Sequence, residues 1–374
     1  MSNIDPENFS KLRFLLSIES IGSSRILSLL EKLGSIENIF SSTTSKLQSA
    51  NYIYPNVAKK ITDNLPLYKN FKNKLKTELE KLKDINAKVI TYWDQEYPIL
   101  LKNIYSPPLV LYLLGDLKKS DDEALAVVGT RRPTEYGKDQ AVLITRELAN
   151  YGITIISGLA RGIDSVCHRT ALENNGRTIA VIGSGLNVIY PPENKKLFYD
   201  ISQNGAIVSE YPLDTNPDAP NFPKRNRIIS GLALGTIVVE TRKNGGALQT
   251  AAYALDQNRE VFAVPGKLGI PQSEGTNILI QKGEAKLIIE PDDILSEINI
   301  KLAKSAKKKI SAPSIELNLF EQKLFDSISG DAKYIDLIAE EVSLSTTECL
   351  VHLLSLEFKG LVIQLPGKLF KRAV

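Results

Sequence analysis

Cysteine, histidine and tryptophan are scarce in this chain: of 374 residues, two are Cys, two are His and one is Trp. Cys167 and Cys349 lie far apart and neither belongs to a C-x-x-C pair, so neither a disulfide framework nor a cysteine zinc site is expected. Two histidines exclude a histidine-rich metal site, and no cofactor is expected. Long apolar runs are also lacking. Apolar runs such as those at 179–182 and 237–239 fall far below the roughly 18 residues that a membrane-spanning helix needs. Residues 1–10 carry acids where a signal peptide has bases, and no apolar stretch with a small-residue cleavage site follows, so a cytoplasmic location is expected. Neither sign of charge dominates: 46 Lys and Arg stand against 43 Asp and Glu, and 43% of the residues are hydrophobic. That composition excludes a disordered, collagenous or histone-like chain and supplies ample material for a core. At roughly 150 residues per domain, the length suits two or three domains.

The net charge of +3 hides an uneven distribution. Lys69, Lys72, Lys74, Lys76, Lys81 and Lys83 form one cluster, and Lys301, Lys304, Lys307, Lys308 and Lys309 form another. The second precedes Ser311-Ala312-Pro313-Ser314 and reads as an interdomain linker, 301–314. Both clusters are first of all solvated surface.

Three regions follow from periodicity. Over 9–82 apolar residues recur at helical spacing, which predicts a helical domain, 1–85. Within it, Ile21-Gly22-Ser23-Ser24-Arg25 before Leu29-Leu30 is similar to a helix-hairpin-helix or sterile-alpha-motif unit, where a Gly turn opens a helix toward a phosphate; a plain helix turn explains it as well. Residues 88–113 read as a shorter connection, whose stretch 107–112 is extended chain leading into the next domain. Residues 124–295 alternate short Val- and Ile-rich strands with helical patterns, the signature of a parallel sheet covered by helices on both faces. Strands are expected at 125–128, 154–156, 178–182, 206–208, 236–239, 261–264 and 287–289. The fold class is therefore α/β, a Rossmann-like doubly wound sheet over 86–300. From 315 to 374 three helices and two short strands joined across Pro366-Gly367 predict a winged-helix domain, in which Phe370, Lys371 and Arg372 suit either a wing on a phosphate backbone or a protein-protein module.

In a doubly wound fold ligands sit outside the carboxyl ends of the strands. Here those loops are rich in glycine and arginine: Gly129-Thr130-Arg131-Arg132-Pro133 after the first strand and Ser157-Gly158-Leu159-Ala160-Arg161-Gly162-Ile163-Asp164 after the second. Glycine lets backbone approach an anion, and guanidinium groups bind phosphate oxygens bidentately. Asn221-Phe222-Pro223-Lys224-Arg225-Asn226-Arg227 places an aromatic, three bases and an amide at a helix start, where cations oppose the dipole unless an anion answers them. Phe222 and Tyr211 are candidates for base stacking, with core packing the alternative for Phe222. Gly183-Ser184-Gly185 matches only two glycines of the dinucleotide fingerprint and follows the wrong strand, so a tight turn is the better reading.

Read in order, Val128-Gly129-Thr130-Arg131, 157–164, 222–227, Gly245-Gly246-Ala247-Leu248-Gln249-Thr250, 259–266 and 275–280 closely resemble the DNA-processing protein A family, DprA/Smf. The resemblance implies a non-enzymatic protein of natural transformation that binds and protects incoming single-stranded DNA, helps load the RecA recombinase and forms a homodimer through the central domain. It places the DNA-binding residues on Gly129, Arg131, Ser157, Gly158, Arg161, Lys224, Arg225 and Arg227, to which Thr130, Arg132, Gly162, Phe222 and Asn226 are added from the same loops. Where the family often has Ser-Gly, this chain has Gly245-Gly246.

The competing class is a nucleotide-binding or nucleotide-cleaving enzyme similar to the Rossmann-like phosphoribohydrolases, with Glu210 and Glu240 as acid or base at the strand ends. Its Pro-Gly-Gly-x-Gly-Thr motif is only approximated by 244–250. Neither histidine has a nucleophile partner in sequence and both are expected to be structural. Asp164 is more simply a helix cap than a base.

Overall fold

The structure is a computed structural model and describes residues 5–298, 317–328, 332–365 and 367–372. The expected linker and its lysine cluster lie outside the described residues. The chain divides into two compact units, Met1–Lys301 and Leu302–Val374.

In the first unit six helices come first: α1 (Pro6–Ser17), α2 (Ser23–Leu33), α3 (Ile36–Ser41), α4 (Thr44–Leu47), α5 (Pro55–Asn64) and α6 (Tyr68–Asp84). Local chemistry starts α1, where the Asp5 carboxylate accepts from the amides of Glu7 and Asn8 and Pro6 takes the first helical position. Leu12, Leu15, Ile26, Leu29, Ile39 and Ile61, all inaccessible, form a core that continues into Val110, Tyr112, Leu197 and Phe198 of the sheet region. Polar contacts add to this docking. The Glu78 carboxylate accepts from the amide of Leu213 (3.2 Å) and lies 3.7 Å from Arg13, whose guanidinium rests over the Tyr112 ring.

The sheet begins with β1 (Lys88–Thr91), α7 (Ile99–Lys102) and β2 (Val110–Gly115). The parallel series follows as β3 (Leu125–Val128), α8 (Glu135–Asn150), β4 (Ile155–Ser157), α9 (Ile163–Glu173), β5 (Thr178–Ile182), α10 (Lys195–Asn204), β6 (Ala206–Ser209), α11 (Asn221–Gly231) and β7 (Gly235–Val238). It closes with α12 (Gly246–Asp256), β8 (Glu260–Ala263), α13 (Pro271–Gln281), β9 (Lys286–Leu287) and α14 (Pro291–Glu297). The spatial order is β1-β2-β6-β5-β4-β3-β7-β8-β9. From β6 to β9 neighbours are parallel, and β3 to β7 are buried along their whole length, as strands covered on both faces must be.

The expected connection over 88–113 is corrected. β2 pairs antiparallel with β6, and β1 antiparallel with β2, so this stretch extends the sheet by two strands at one edge. Pro107 and Pro108 stop short of β2, which leaves its amides free to pair.

The second unit holds α15 (Leu319–Ser327), β10 (Lys333–Tyr334), α16 (Ile335–Val342), α17 (Thr346–Phe358), β11 (Val362–Leu365) and β12 (Leu369–Arg372). Its sheet runs β10-β12-β11, one short strand more than the expected pair, and the whole is a winged helix. Leu324, Ile338, Cys349, Leu353, Leu356 and Phe370 fill its core.

His168, on α9, is fully buried. Thr178 Oγ1 donates to the Ile155 carbonyl (2.8 Å), so the imidazole Nδ1, 2.6 Å from that oxygen, carries a proton toward it. Nε2 is then an unprotonated nitrogen with no partner. A proton there would be a buried charge without an acceptor, and burial holds the ring's pKa down at about 3, from the ordinary 6.5. Because the folded-state value lies below the unfolded one, the stability contributed by the neutral ring is complete above pH 6.5 and is lost as pH falls toward 3. The expected loss through this group is about 2 kcal/mol between about pH 7 and pH 5. Urea midpoints across that range should fall for the wild type, and His168→Leu should flatten the slope even if its stability at neutral pH is lower. An unchanged slope would show that the ring titrates normally.

Candidate nucleic-acid interface

The order of the sheet locates the site. β3 and β7 are neighbours, but β3 is followed in space by β4 on one side and β7 by β8 on the other, so their outgoing loops part and leave a crevice at the carboxyl ends. A cleft of about 1050 Å³ occupies this crevice. Gly129, Thr130 and Arg131 supply one wall, Phe222, Arg225 and Asn226 another, and Arg242, Lys243 and Asn244 a third.

The wall after β3 is held rigidly. The amide of Thr130 donates to the carbonyl of Glu240 (2.7 Å). The Glu240 carboxylate, 1% exposed, accepts from the amide of Thr134 (2.9 Å) and from its hydroxyl (2.6 Å). Thr134 in turn caps α8 by accepting from the amide of Gly137. Glu240 is thus engaged in joining the β3 and β7 loops. Glu210, the other carboxylate considered for catalysis, is paired with Arg227 at 2.6 Å. Asp164 is not simply a cap. It bends back from the first turn of α9 and accepts from the amides of Gly158 (3.1 Å) and Ala160 (3.3 Å). The loop closes at Gly162, with φ of 78°, where an added Cβ would lie 2.3 Å from the Thr130 carbonyl, so only glycine fits.

The thirteen residues singled out from sequence divide. Gly129, Thr130, Arg131, Phe222, Arg225 and Asn226 line the cleft. The Arg131 guanidinium lies 5.5 Å from the centre of the Phe222 ring, and Tyr190 meets the same ring at 5.8 Å. Phe222 is therefore half-exposed at the cleft rather than core, whereas the Tyr211 hydroxyl turns to the Asn221 carbonyl. The other seven are not brought to this cleft. Ser157 is buried, its hydroxyl donating to the Val127 carbonyl (2.6 Å), and the Gly158 amide is taken by Asp164, so neither is open to an anion as the sequence suggested. Arg161 is held by Glu193 and Arg227 by Glu210. Gly162 serves the loop backbone, and Arg132 and Lys224 are exposed outside the cleft lining.

Arg225 lines the cleft yet is only 3% exposed. One guanidinium nitrogen donates to the Val181 carbonyl, and Nε has no partner. Gly158 makes the room, since a Cβ there would lie 2.2 Å from Nη1 of Arg225 and 2.7 Å from Asp164 Oδ2. Burial draws the Arg225 pKa down to about 10, while Asp164 opposes the shift and Arg131 adds to it. Burial raises Asp164 against the opposing pull of Arg225. The guanidinium is an internal charge at the back of the cleft, and the solvent-exposed charges are Arg131, Arg242 and Lys243.

Arg242, Lys243 and Asn244 were overlooked in the sequence, although they follow β7 by the same rule that picked out Gly129–Arg131. Behind them α12 starts at Gly246, preceded by Gly245, with no side chain capping its first amides, and Gly245, Gly246 and Ala247 line the cleft. The carboxylates on the lining are Asp164, engaged as above, and the exposed Glu274. The arrangement can receive a polyanion, with amides and cations for phosphates and the Phe222 and Tyr190 rings for a flat base. Among the described residues no group of three or more His, Cys, Asp or Glu is placed to hold a metal ion, and no helix is long and apolar enough to cross a membrane.

Removing Asp164 leaves two loop amides without an acceptor and takes away the carboxylate whose field opposes the desolvation of Arg225. Asp164→Ala should cost about 2–5 kcal/mol in urea unfolding, at about 1–3 kcal/mol for each amide left unsatisfied. A loss below about 1 kcal/mol would mean that the loop does not depend on this carboxylate.

Comparison with known proteins agrees with this geometry. Residues 88–299 match the family model of DNA recombination-mediator protein A, and residues 309–368 match the DprA winged helix domain. Protein Smf of Escherichia coli (strain K12) is 40% identical over 291 residues, covering 76% of this chain and 78% of its own length. DNA processing protein DprA of Bacillus subtilis (strain 168) is 46% identical over 205 residues, 54% of this chain and 69% of that one. The X-ray structure of DNA processing protein A from Streptococcus pneumoniae superposes with a TM-score of 0.66 at 32% identity, over 79% of this chain and 99% of that chain. A solved structure of DNA processing protein A from Helicobacter pylori, described for its single-stranded DNA binding mode, gives 0.52 at 32% identity, over 57% of this chain and 96% of that one. By its sequence blocks, its sheet and the extent of these matches, the chain belongs to the DNA recombination-mediator protein A family, DprA/Smf.

Proposed function

We propose that the cleft between the β3 and β7 loops binds single-stranded DNA, and that this chain protects incoming DNA during natural transformation and helps load the RecA recombinase onto it. The observation that carries the reading is the pairing of the Arg131 guanidinium with the Phe222 ring inside a cleft that also holds Arg242, Lys243 and the uncapped start of α12. A single strand lays its phosphates against cations and amides while its bases meet aromatic faces, whereas a duplex hides those faces. The Helicobacter pylori relative, described for its single-stranded DNA binding mode, supports the assignment. So does the engagement of Glu240 with Thr134 and of Glu210 with Arg227, which favours a binding role over hydrolysis. One cleft spans only a few nucleotides, and two copies related by a two-fold axis through the central domain would lengthen the track.

Fluorescence anisotropy with a labelled single strand and the matching duplex, over a salt series, tests the reading. The single strand should bind more tightly. Arg131→Ala and Arg242→Ala should each weaken binding about tenfold, regardless of base sequence, and lower the log-log salt slope by about one. Arg161→Ala, whose charge is already answered by Glu193, should have a smaller effect on both. If Arg131→Ala and Arg242→Ala bind as the wild type does, the strand does not lie in this cleft.

A further inference from the structure

A winged helix that grips duplex DNA needs cations on its third helix and on its wing, because both meet phosphates. The third helix supplies none here, and the wing offers only Lys368 and Lys371. Between Thr346 and Phe358 the third helix, α17, contains no lysine or arginine. Cys349, Leu353 and Leu356 take its buried face, so the outward stripe is Thr347, Val351 and Leu354, at i, i+4 and i+7. Val351 is 64% and Leu354 43% exposed. Of the expected wing residues, Lys371 stays half-exposed and the other two turn inward. Phe370 is a core residue at 1% exposure, and Arg372 lies 4.3 Å over the Phe325 ring while donating from Nε and Nη2 to the Phe325 carbonyl. Of the nearby lysines, Lys333 is held by Glu341 at 2.5 Å and Lys359 by Glu321 at 2.7 Å, while Lys323 on α15 and Lys368 at the wing turn are exposed off the α16–α17 helices.

The helix before it repeats the pattern. On α16, Leu337 is 51% exposed among the exposed carboxylates Asp336, Glu340 and Glu341. Asp336 also meets the start of α17, where it accepts from the Thr346 hydroxyl at 3.5 Å, and the exposed Glu348 follows in the first turn. Exposed apolar side chains among acids repel a phosphate backbone, and a second copy of the same face would set carboxylate against carboxylate. Apolar residues flanked by cations answer both features.

We propose that the α16–α17 face is a protein-docking surface and that its occupant is a helix of a separate protein, with apolar side chains flanked by lysine or arginine. Val351, Leu354 and Leu337 would receive the apolar stripe, and Asp336, Glu340 and Glu348 the cations. The proposal is independent of the DNA cleft, which lies in the other unit.

The test uses the full-length protein and three probes: a synthetic amphipathic helical peptide of leucine and lysine, the same peptide with glutamate in place of lysine, and a mixed-sequence DNA duplex. The lysine peptide should slow amide hydrogen exchange in α16 and α17, the glutamate peptide should not bind, and Val351→Asp combined with Leu354→Asp should weaken the lysine peptide about tenfold or more. Both substitutions are at exposed positions, and unchanged single-strand affinity, together with a native exchange pattern in the winged helix, shows that the variant is folded. The proposal is overturned if the duplex protects α17 and loses affinity in the variant, if the substitutions instead abolish self-association, or if peptide binding is indifferent to them.

Discussion

The cleft exists because two neighbouring strands send their chains apart, and the Glu240 carboxylate joins the loops that result. Its side chain takes both polar groups of Thr134 while its carbonyl takes the amide of Thr130, so the start of α8 and the end of β7 move as one piece. A carboxylate buried to 1% is stable only when its lone pairs are answered, and here two donors from one residue answer them. Arg131 is therefore presented from a braced loop, with little freedom left to lose when an anion arrives.

Charge in the site is divided by depth. Arg225 and Asp164 are buried together, and each shifts in the direction that burial demands while the other resists. Such a pair adds shape more than affinity: it fixes the 157–164 loop through two amides and seals the back of the cleft. The exposed cations at the mouth, Arg131, Arg242 and Lys243, remain hydrated and screened by salt, so they carry the salt-dependent part of an interaction with phosphates.

Much of the fold was legible because strands buried on both faces must be runs of Val, Ile, Leu and Ala, and β3, β5 and β6 are such runs. β1 and β2 were not, because they join the sheet antiparallel at its edge, and which partner an extended segment chooses is a tertiary decision. The site was legible by loop and not by side chain. Lys224 and Arg225 are adjacent on α11, yet a rotation of about 100° per residue puts one in solvent and the other in the interior. Ser157, Arg161 and Arg227 have the chemistry of phosphate ligands, but nearer partners, the Val127 carbonyl, Glu193 and Glu210, engage them. Residue type marks what a side chain is able to do, and its neighbours decide whether it is free to do it.

A net charge of +3 over 374 residues suggests a chain with no electrostatic preference, and the structure shows why that average misleads. The first unit gathers guanidinium groups, lysine and uncapped amides around an aromatic ring. The second exposes valine and leucine among carboxylates and lays its arginine over its own Phe325 ring. Fields from exposed charges decay within about 8–10 Å at physiological salt, so a partner meets the charge of one face and not the sum over the chain. Two surfaces of opposite character therefore suit two classes of partner, which a uniformly basic DNA-binding chain cannot do.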